Sequence, residues 1–335
     1  MFAELTHTGS TCAMMNLSNR PLPLHVLRAG DFTVPMNDRL FTRAREYEER
    51  FWKDRKGLAQ THEGMILFNI FYEESSRTIA SFAAAAMHLG MKVHSTQNAG
   101  QTSSAAKGES LPDTIRIMDG YLPDILVLRH PADDGAAVAA KFSAVPVING
   151  GSGRGEHPTQ AHTDVYTIEK RMGRIDGLTI IIGGDLMNGR TARSLALMLS
   201  MYRPAKIIFV SPLEVPMGSD VTARLTERGI SFTETDDLRS ALPEADVVYW
   251  TRVQKERMPP ELYGKIKDRF IIGQQQLALM PEHAMLMHPL PRVGEIVPEE
   301  VDHDPRAGFF EQAHNGMWVR AALISSILDR TLYAP

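Results

Sequence analysis

The chain holds one cysteine, Cys12, among 335 residues. An intrachain disulfide is therefore excluded, as is a zinc site built from several thiolates. Charge of one sign is also lacking: 36 Lys and Arg stand against 40 Asp and Glu, for a formal net charge of -4. That balance gives no overall pull toward nucleic acid or an anionic membrane, so any anion site must be built locally from clustered arginines. No apolar stretch reaches the ~18 residues of a membrane-spanning helix. The first residues show no basic start followed by an apolar run, so no secretory signal is expected and a cytoplasmic location is the default. Asn16-Leu17-Ser18 matches a glycosylation sequon, a chance match in such a chain. No G-x-x-x-x-G-K-[ST] loop is present, and GGDLMNG (183–189) lacks the spacing of a dinucleotide loop. There is no internal repeat or low-complexity tract, and residues 1–20 have no periodicity and are expected to be partly disordered.

What is there suits a globular protein of two domains, at roughly 150 residues per domain. Short, nearly continuous apolar runs recur at 65–72, 124–130, 144–150, 178–184, 206–212, 246–252 and 284–290. Runs of this length suit parallel strands buried on both faces. Helical patterns lie between them, at 77–90, 190–202 and 221–229, and the alternation predicts an α/β fold. The glycine-rich stretch 149–160 suggests a domain junction. An amphipathic pattern over 315–333 suggests a last helix that packs back on the first domain.

One segment raises a chemical question. NIFYEESSRTIASF (69–82) joins a buried strand to a helix through Ser75-Ser76-Arg77-Thr78. The first N–H groups of a helix lack intrahelical partners, and the helix dipole adds positive charge there. Such a turn can bind phosphate, with the hydroxyls and the Arg77 fork adding donors. A plain N-cap by Ser75 or Ser76 explains the same residues. Arg129 (in LRHP), His157 and Gln160 (in EHPTQ) and the prolines of HPLPR (288–292) also fall at strand ends. In an open α/β sheet, ligands bind outside the carboxyl ends of the strands. Taken singly, Arg129 reads as a surface ion pair, His157 as a helix cap and HPLP as a rigid turn.

Together these segments resemble the transcarbamoylase family, over roughly residues 25–333. They are FYEESSRT (71–78), SSAAKGESLPDT (103–114), VLRHP (127–131), GEHPTQ (155–160), GGDLMNGRT (183–191), TRVQKER (251–257), HPLPR (288–292) and EQAHNGMWVRAAL (311–323), in the family's order. The resemblance implies two doubly wound parallel-sheet domains. Residues 1–158 would bind carbamoyl phosphate, with a C-terminal helix (315–335) packing back on them, and 159–314 would bind the amino acid. It also implies a homotrimer with shared sites, and transfer of a carbamoyl group to L-aspartate in pyrimidine biosynthesis, without metal or cofactor. By resemblance, Ser75, Ser76, Arg77 and Thr78 hold the phosphate, while Arg129, His157 and Thr78 touch the carbonyl oxygen. Gln160 and the carbonyls of Pro289 and Leu290 orient the carbamoyl nitrogen and the incoming amine. Ser103 and Lys107 reach in from a neighbouring subunit; on its own, Lys107 reads as a solvated loop charge. Arg190, Arg252 and Gln254 match the aspartate-binding positions, and Glu73 would bridge the domains to Arg190 and Arg257. Ornithine-specific members carry an HCLP motif and an SMG segment; HPLP here favours aspartate. A transcarbamoylase for another amino acid and a non-catalytic assembly subunit are the alternatives. Regulatory chains or other pyrimidine enzymes as partners stay open.

The chain departs from the family pattern at Glu74 (usually Pro), Ser76 (usually Thr), Met187 (usually Lys) and His162-Thr163 (usually two leucines). His157 and His162 are five residues apart and do not share a helix face, which argues against a metal pair.

Overall fold

Nine strands form two sheets in the computed structural model, which describes residues 24–267 and 269–332. Cys12, the Asn16 sequon, the order of residues 1–20 and the end of the 315–335 segment lie outside the described residues. The first sheet contains β1 (Ile66–Phe71), β2 (Lys92–Thr96), β3 (Ile125–His130) and β4 (Val147–Ser152), in the order β2-β1-β3-β4. The second contains β5 (Thr179–Gly183), β6 (Lys206–Val210), β7 (Phe232–Thr235), β8 (Val247–Trp250) and β9 (Met285–Met287), in the order β7-β6-β5-β8-β9. Every pairing is parallel. The α/β class expected from the alternation of strands and helices is present, as are the two parallel sheets that the resemblance implies.

The seven predicted strands form because their side chains are buried from both sides; VVYW of β8 is wholly buried. Strands β2 and β7 are not among the predicted seven. Both are edge strands, and KVHST and FTET alternate with polar residues that face water. The stretch 149–160 divides between two elements. Asn149–Ser152 complete β4, and Pro158 to Gln160 open the next helix.

Eight longer helices cover the sheets: α1 (Val34–Lys53), α2 (Ser76–His88), α3 (Leu111–Asp119), α4 (Gly135–Phe142), α5 (Pro158–Met172), α6 (Arg190–Leu199), α7 (Ser219–Glu227) and α8 (Phe309–Leu328). Helix α1 starts at Thr33, whose hydroxyl accepts from the Met36 N–H, and buries Met36, Leu40, Phe41, Ala44 and Tyr47 on one face. Helix α8 begins six residues earlier than the pattern at 315 indicates. It is buried on most sides instead of one, because it packs against α1, α2 and α5 together. No helix among the described residues is long and apolar enough to cross a membrane.

Candidate active site

Each sheet reverses its strand order once, between β1 and β3 and between β5 and β8. The carboxyl ends of these strands, with those of β4 and β9, open onto one cleft of about 460 Å³. Ser75, Ser76, Arg77, Thr78, Arg129, His157, Gln160, Arg190, Arg252, Gln254, Pro289 and Leu290 all line it. Five arginines reach it, the fifth being Arg320, against one carboxylate, Glu74. Cations gathered in this way repel each other unless an anion joins them. Burial and the neighbouring Arg252 charge both lower the Arg77 pKa. Burial also lowers that of Arg190, against the opposing pull of Glu73.

Ser75 takes the N-cap position of α2, but its side chain makes no capping hydrogen bond. Its hydroxyl accepts from Arg129 Nη1 at 2.5 Å instead. The plain-cap reading of this serine therefore does not hold, and its side chain leaves the first N–H groups of α2 uncapped. Glu73 Oε2 lies 3.4 Å from Arg129 Nε and 3.4 Å from Arg190 Nη1, which links the two sheets through one carboxylate. The expected Arg257 partner of Glu73 is used elsewhere. Arg257 leaves the short turn Lys255–Arg257 toward the Asn188 and Gly153 carbonyls, each 3.2 Å away. Arg190 shares the Gly153 carbonyl at 3.0 Å. Gln254 is fixed by its own contacts, from Nε2 to the Asn188 carbonyl at 2.7 Å and from its N–H to Asp185 at 3.2 Å.

His157 ends the β4 loop, where Gly151 has a φ of +119°, and a Cβ there would press on Arg190 and His157 at 3.3 and 3.4 Å. Glycine is required at this position on both counts. The imidazole Nε2 of His157 lies 3.4 Å from the Thr78 hydroxyl. Burial, reinforced by the Arg320 charge, brings its pKa down to about 3, so the ring is neutral at physiological pH. A neutral ring can donate one hydrogen bond but cannot carry a positive charge into the cleft.

Leu290 adopts a left-handed φ of 58°, and its N–H donates to His288 Nδ1 at 2.8 Å. The loop after β9 is thus held in one shape, with Arg292 tied to Asp302 just beyond it. Ser103 and Lys107 do not line the cleft. They belong to the exposed segment spanning helix Ala99–Thr102 and turn Ser104–Lys107.

The departures separate. Glu74 borders the cleft. Met187 is exposed and outside its lining. His162 is buried away from the cleft, donates from Nδ1 to the Pro158 carbonyl at 2.8 Å and packs edge-on to Phe32. Sequence reasoning missed Arg320, Asp164 and Gln312. Arg320 is buried at the cleft wall and donates to Ser81 at 2.8 Å. Gly316 leaves it room: a Cβ there would come within 2.7 Å of its guanidinium. A lone arginine in the apolar stretch MWVRAALISSIL (317–328) was the available signal.

Two family models match the chain. Residues 24–170 match "Aspartate/ornithine carbamoyltransferase, carbamoyl-P binding domain", and residues 176–327 match the "Asp/Orn binding domain" of the same family. A chloroplastic aspartate carbamoyltransferase of Oryza sativa is 45% identical over 308 residues, covering 90% of this chain and 84% of that one. The catalytic subunit of M. jannaschii aspartate transcarbamoylase superposes with a TM-score of 0.83 at 39% identity, covering 92% of this chain and 99% of that one. Trypanosoma cruzi aspartate transcarbamoylase in complex with carbamoyl phosphate and aspartate superposes at 0.84 with 35% identity, covering 90% and 94%.

Proposed function

This chain belongs to the aspartate/ornithine carbamoyltransferase family, and on that premise we propose that its cleft transfers the carbamoyl group of carbamoyl phosphate to the amino group of L-aspartate. The products are N-carbamoyl-L-aspartate and phosphate, in a step of de novo pyrimidine biosynthesis. The observation that carries this reading is the meeting of five arginines in one cleft whose lining holds one carboxylate, Glu74, with Glu73 shared between Arg129 and Arg190 and Asp164 facing Arg320. The substrates together bring one phosphate and two carboxylates, and arginine forks match both groups.

The phosphate sits at the start of α2, on its N–H groups, the Ser75, Ser76 and Thr78 hydroxyls and Arg77. The carbonyl oxygen faces Thr78, Arg129 and His157. Gln160 and the Pro289 and Leu290 carbonyls receive the carbamoyl nitrogen and the incoming amine. Arg190, Arg252 and Gln254 take the aspartate carboxylates. The amine nitrogen attacks the carbonyl carbon, and charge grows on the carbonyl oxygen where Arg129 and neutral His157 donate. The C–O bond to phosphate then breaks. The amine proton passes to the departing phosphate, which lies beside it. No cofactor or metal enters this scheme.

The division of labour follows the sheets, with residues up to about 158 and the last helix serving carbamoyl phosphate and 159–314 serving aspartate. Glu73, held between Arg129 and Arg190, keeps the halves together around the reactants. Ser103 and Lys107, outside the cleft of their own chain, complete the site of a neighbour in a homotrimer. A single cysteine in the whole chain suits the reducing cytoplasm. The test is complementation: Lys107→Ala and Arg252→Ala chains, each inactive alone, regain carbamoyl transfer to aspartate when their subunits exchange. Folded, exchanging mixtures that stay inactive would contradict the shared site.

A further inference from the structure

Beneath the cleft lies a buried polar chain that the chemistry above leaves unused. Asp164 is fully buried in α5, one turn after Gln160. The backbone N–H of His288 donates to Gln312 Oε1 at 2.9 Å. A backbone N–H can only donate, so this contact decides which end of the Gln312 amide is oxygen. Gln312 Nε2 is then turned to Asp164 Oδ1, at 2.6 Å. The same Oδ1 receives Gln160 Nε2 at 2.8 Å. Gln312 Nε2 already donates to this oxygen, and a carboxylate oxygen only accepts, so the Gln160 amide meets it with nitrogen. Arg320, buried in the facing helix α8, supplies a positive charge to the Asp164 carboxyl. The remaining atom of the Gln160 amide, Oε1, is left as an acceptor for the cleft that this residue lines.

We propose that Asp164 is a positioning residue that locks the Gln160 amide with its oxygen toward the bound acyl group. The cleft thereby selects an acyl phosphate carrying N–H donors over one carrying a methyl group. The inference rests on the carbamoyl-transfer reading above and adds to it the device that distinguishes carbamoyl phosphate from acetyl phosphate, two molecules of nearly the same shape. Without the lock, Gln160 can turn its NH₂ group into the cleft, where it faces the NH₂ of the substrate donor to donor. Through Gln312, the same carboxyl also braces the backbone at His288, where the HPLP loop begins.

The experiment compares three ligands on the full-length protein: KM for carbamoyl phosphate, and the competitive inhibition constants of acetyl phosphate and inorganic phosphate. In Asp164→Asn, the acetyl-to-carbamoyl ratio of these constants falls roughly tenfold, the scale of one well-placed hydrogen bond. The inorganic phosphate constant does not move with it, because the phosphate cradle on α2 is untouched. In a Gln160→Ala background, Asp164→Asn leaves the ratio where Gln160→Ala has already put it. Should Asp164→Asn not fold, Asp164→Ser, which buries no surplus amide donor, carries the same test. Weakening of all three ligands by one common factor, or an unchanged ratio, would overturn the proposal. A further fall of the ratio in the Gln160→Ala background would do so as well. Failure of the underlying reading is separate and visible first: unmodified protein would then transfer no carbamoyl group to aspartate.

Discussion

Replacing Arg129 by alanine removes a guanidinium that does three things at once. It holds the Ser75 hydroxyl at 2.5 Å, sits 3.4 Å from Glu73, and lines the cleft beside Thr78 and His157. If it donates to the oxygen on which charge develops, its loss costs about 3 kcal/mol of transition-state stabilisation, or roughly 10²–10³-fold in kcat. Little of that reaches the fold, because Glu73 keeps Arg190 at 3.4 Å and the side chain belongs to the cleft wall. Aspartate binding is affected less, since Arg190 and Arg252 remain. Arg129→Lys restores the charge but not the fork, and cannot serve Ser75 and Glu73 together, so it recovers only part of the loss. The assay is phosphate release at saturating carbamoyl phosphate and L-aspartate, with thermal melting as the check on folding. A folded Arg129→Ala protein with kcat within about threefold of the parent, less than 1 kcal/mol, would refute the role.

Acid stability gives a second expectation. Burial lowers the pKa of His157 to about 3 and that of His162 to about 4, so between pH 6.5 and 4 the unfolded chain binds two protons that the folded chain does not. Asp164, raised to about 7 by burial, works in the opposite direction over the same range. Among these three groups the balance is one proton more on the unfolded state, a contribution that lowers stability by about 1.4 kcal/mol per pH unit as pH drops. His162→Leu should flatten that slope in urea titrations at pH 6.5, 5.5 and 4.5; an identical slope would mean that the ring is protonated in the fold. A third expectation concerns Gly316. Alanine there meets the Arg320 guanidinium at 2.7 Å and Thr163 at 3.2 Å, so Gly316→Ala should destabilise by about 1–3 kcal/mol and reduce turnover, read by melting and phosphate release together.

How far the sequence could be read follows from where each residue sits. Strands β1, β3, β4, β5, β6, β8 and β9 were legible because both their faces are covered, which forces long apolar runs. Strands β2 and β7 were not: the other two edge strands, β4 and β9, are wholly buried, whereas β2 and β7 meet water and their composition turns polar. Helix α1 escaped because its charged residues mask the buried stripe at Met36, Leu40, Phe41, Ala44 and Tyr47. At the site, residues in short polar motifs at strand ends stood out: SSRT, LRHP, EHPTQ and HPLP. Asp164, Gln312 and Arg320 did not, because their partners lie far away along the chain; Asp164 and Gln312 are 148 residues apart. The Glu73 pairing was foreseen with Arg190 but not with Arg129, since side-chain reach at a strand end is decided by register and not by motif. His162, where the family usually has leucine, fills core space against Phe32.

The most direct measurement is phosphate release from carbamoyl phosphate by the purified protein, with L-aspartate, L-ornithine and a panel of other amino acids compared as acceptors. The arrangement of Arg190, Arg252 and Gln254 predicts turnover with L-aspartate and none above background with L-ornithine. Turnover with ornithine or another amine, or none with any acceptor from protein that still binds carbamoyl phosphate, would contradict it.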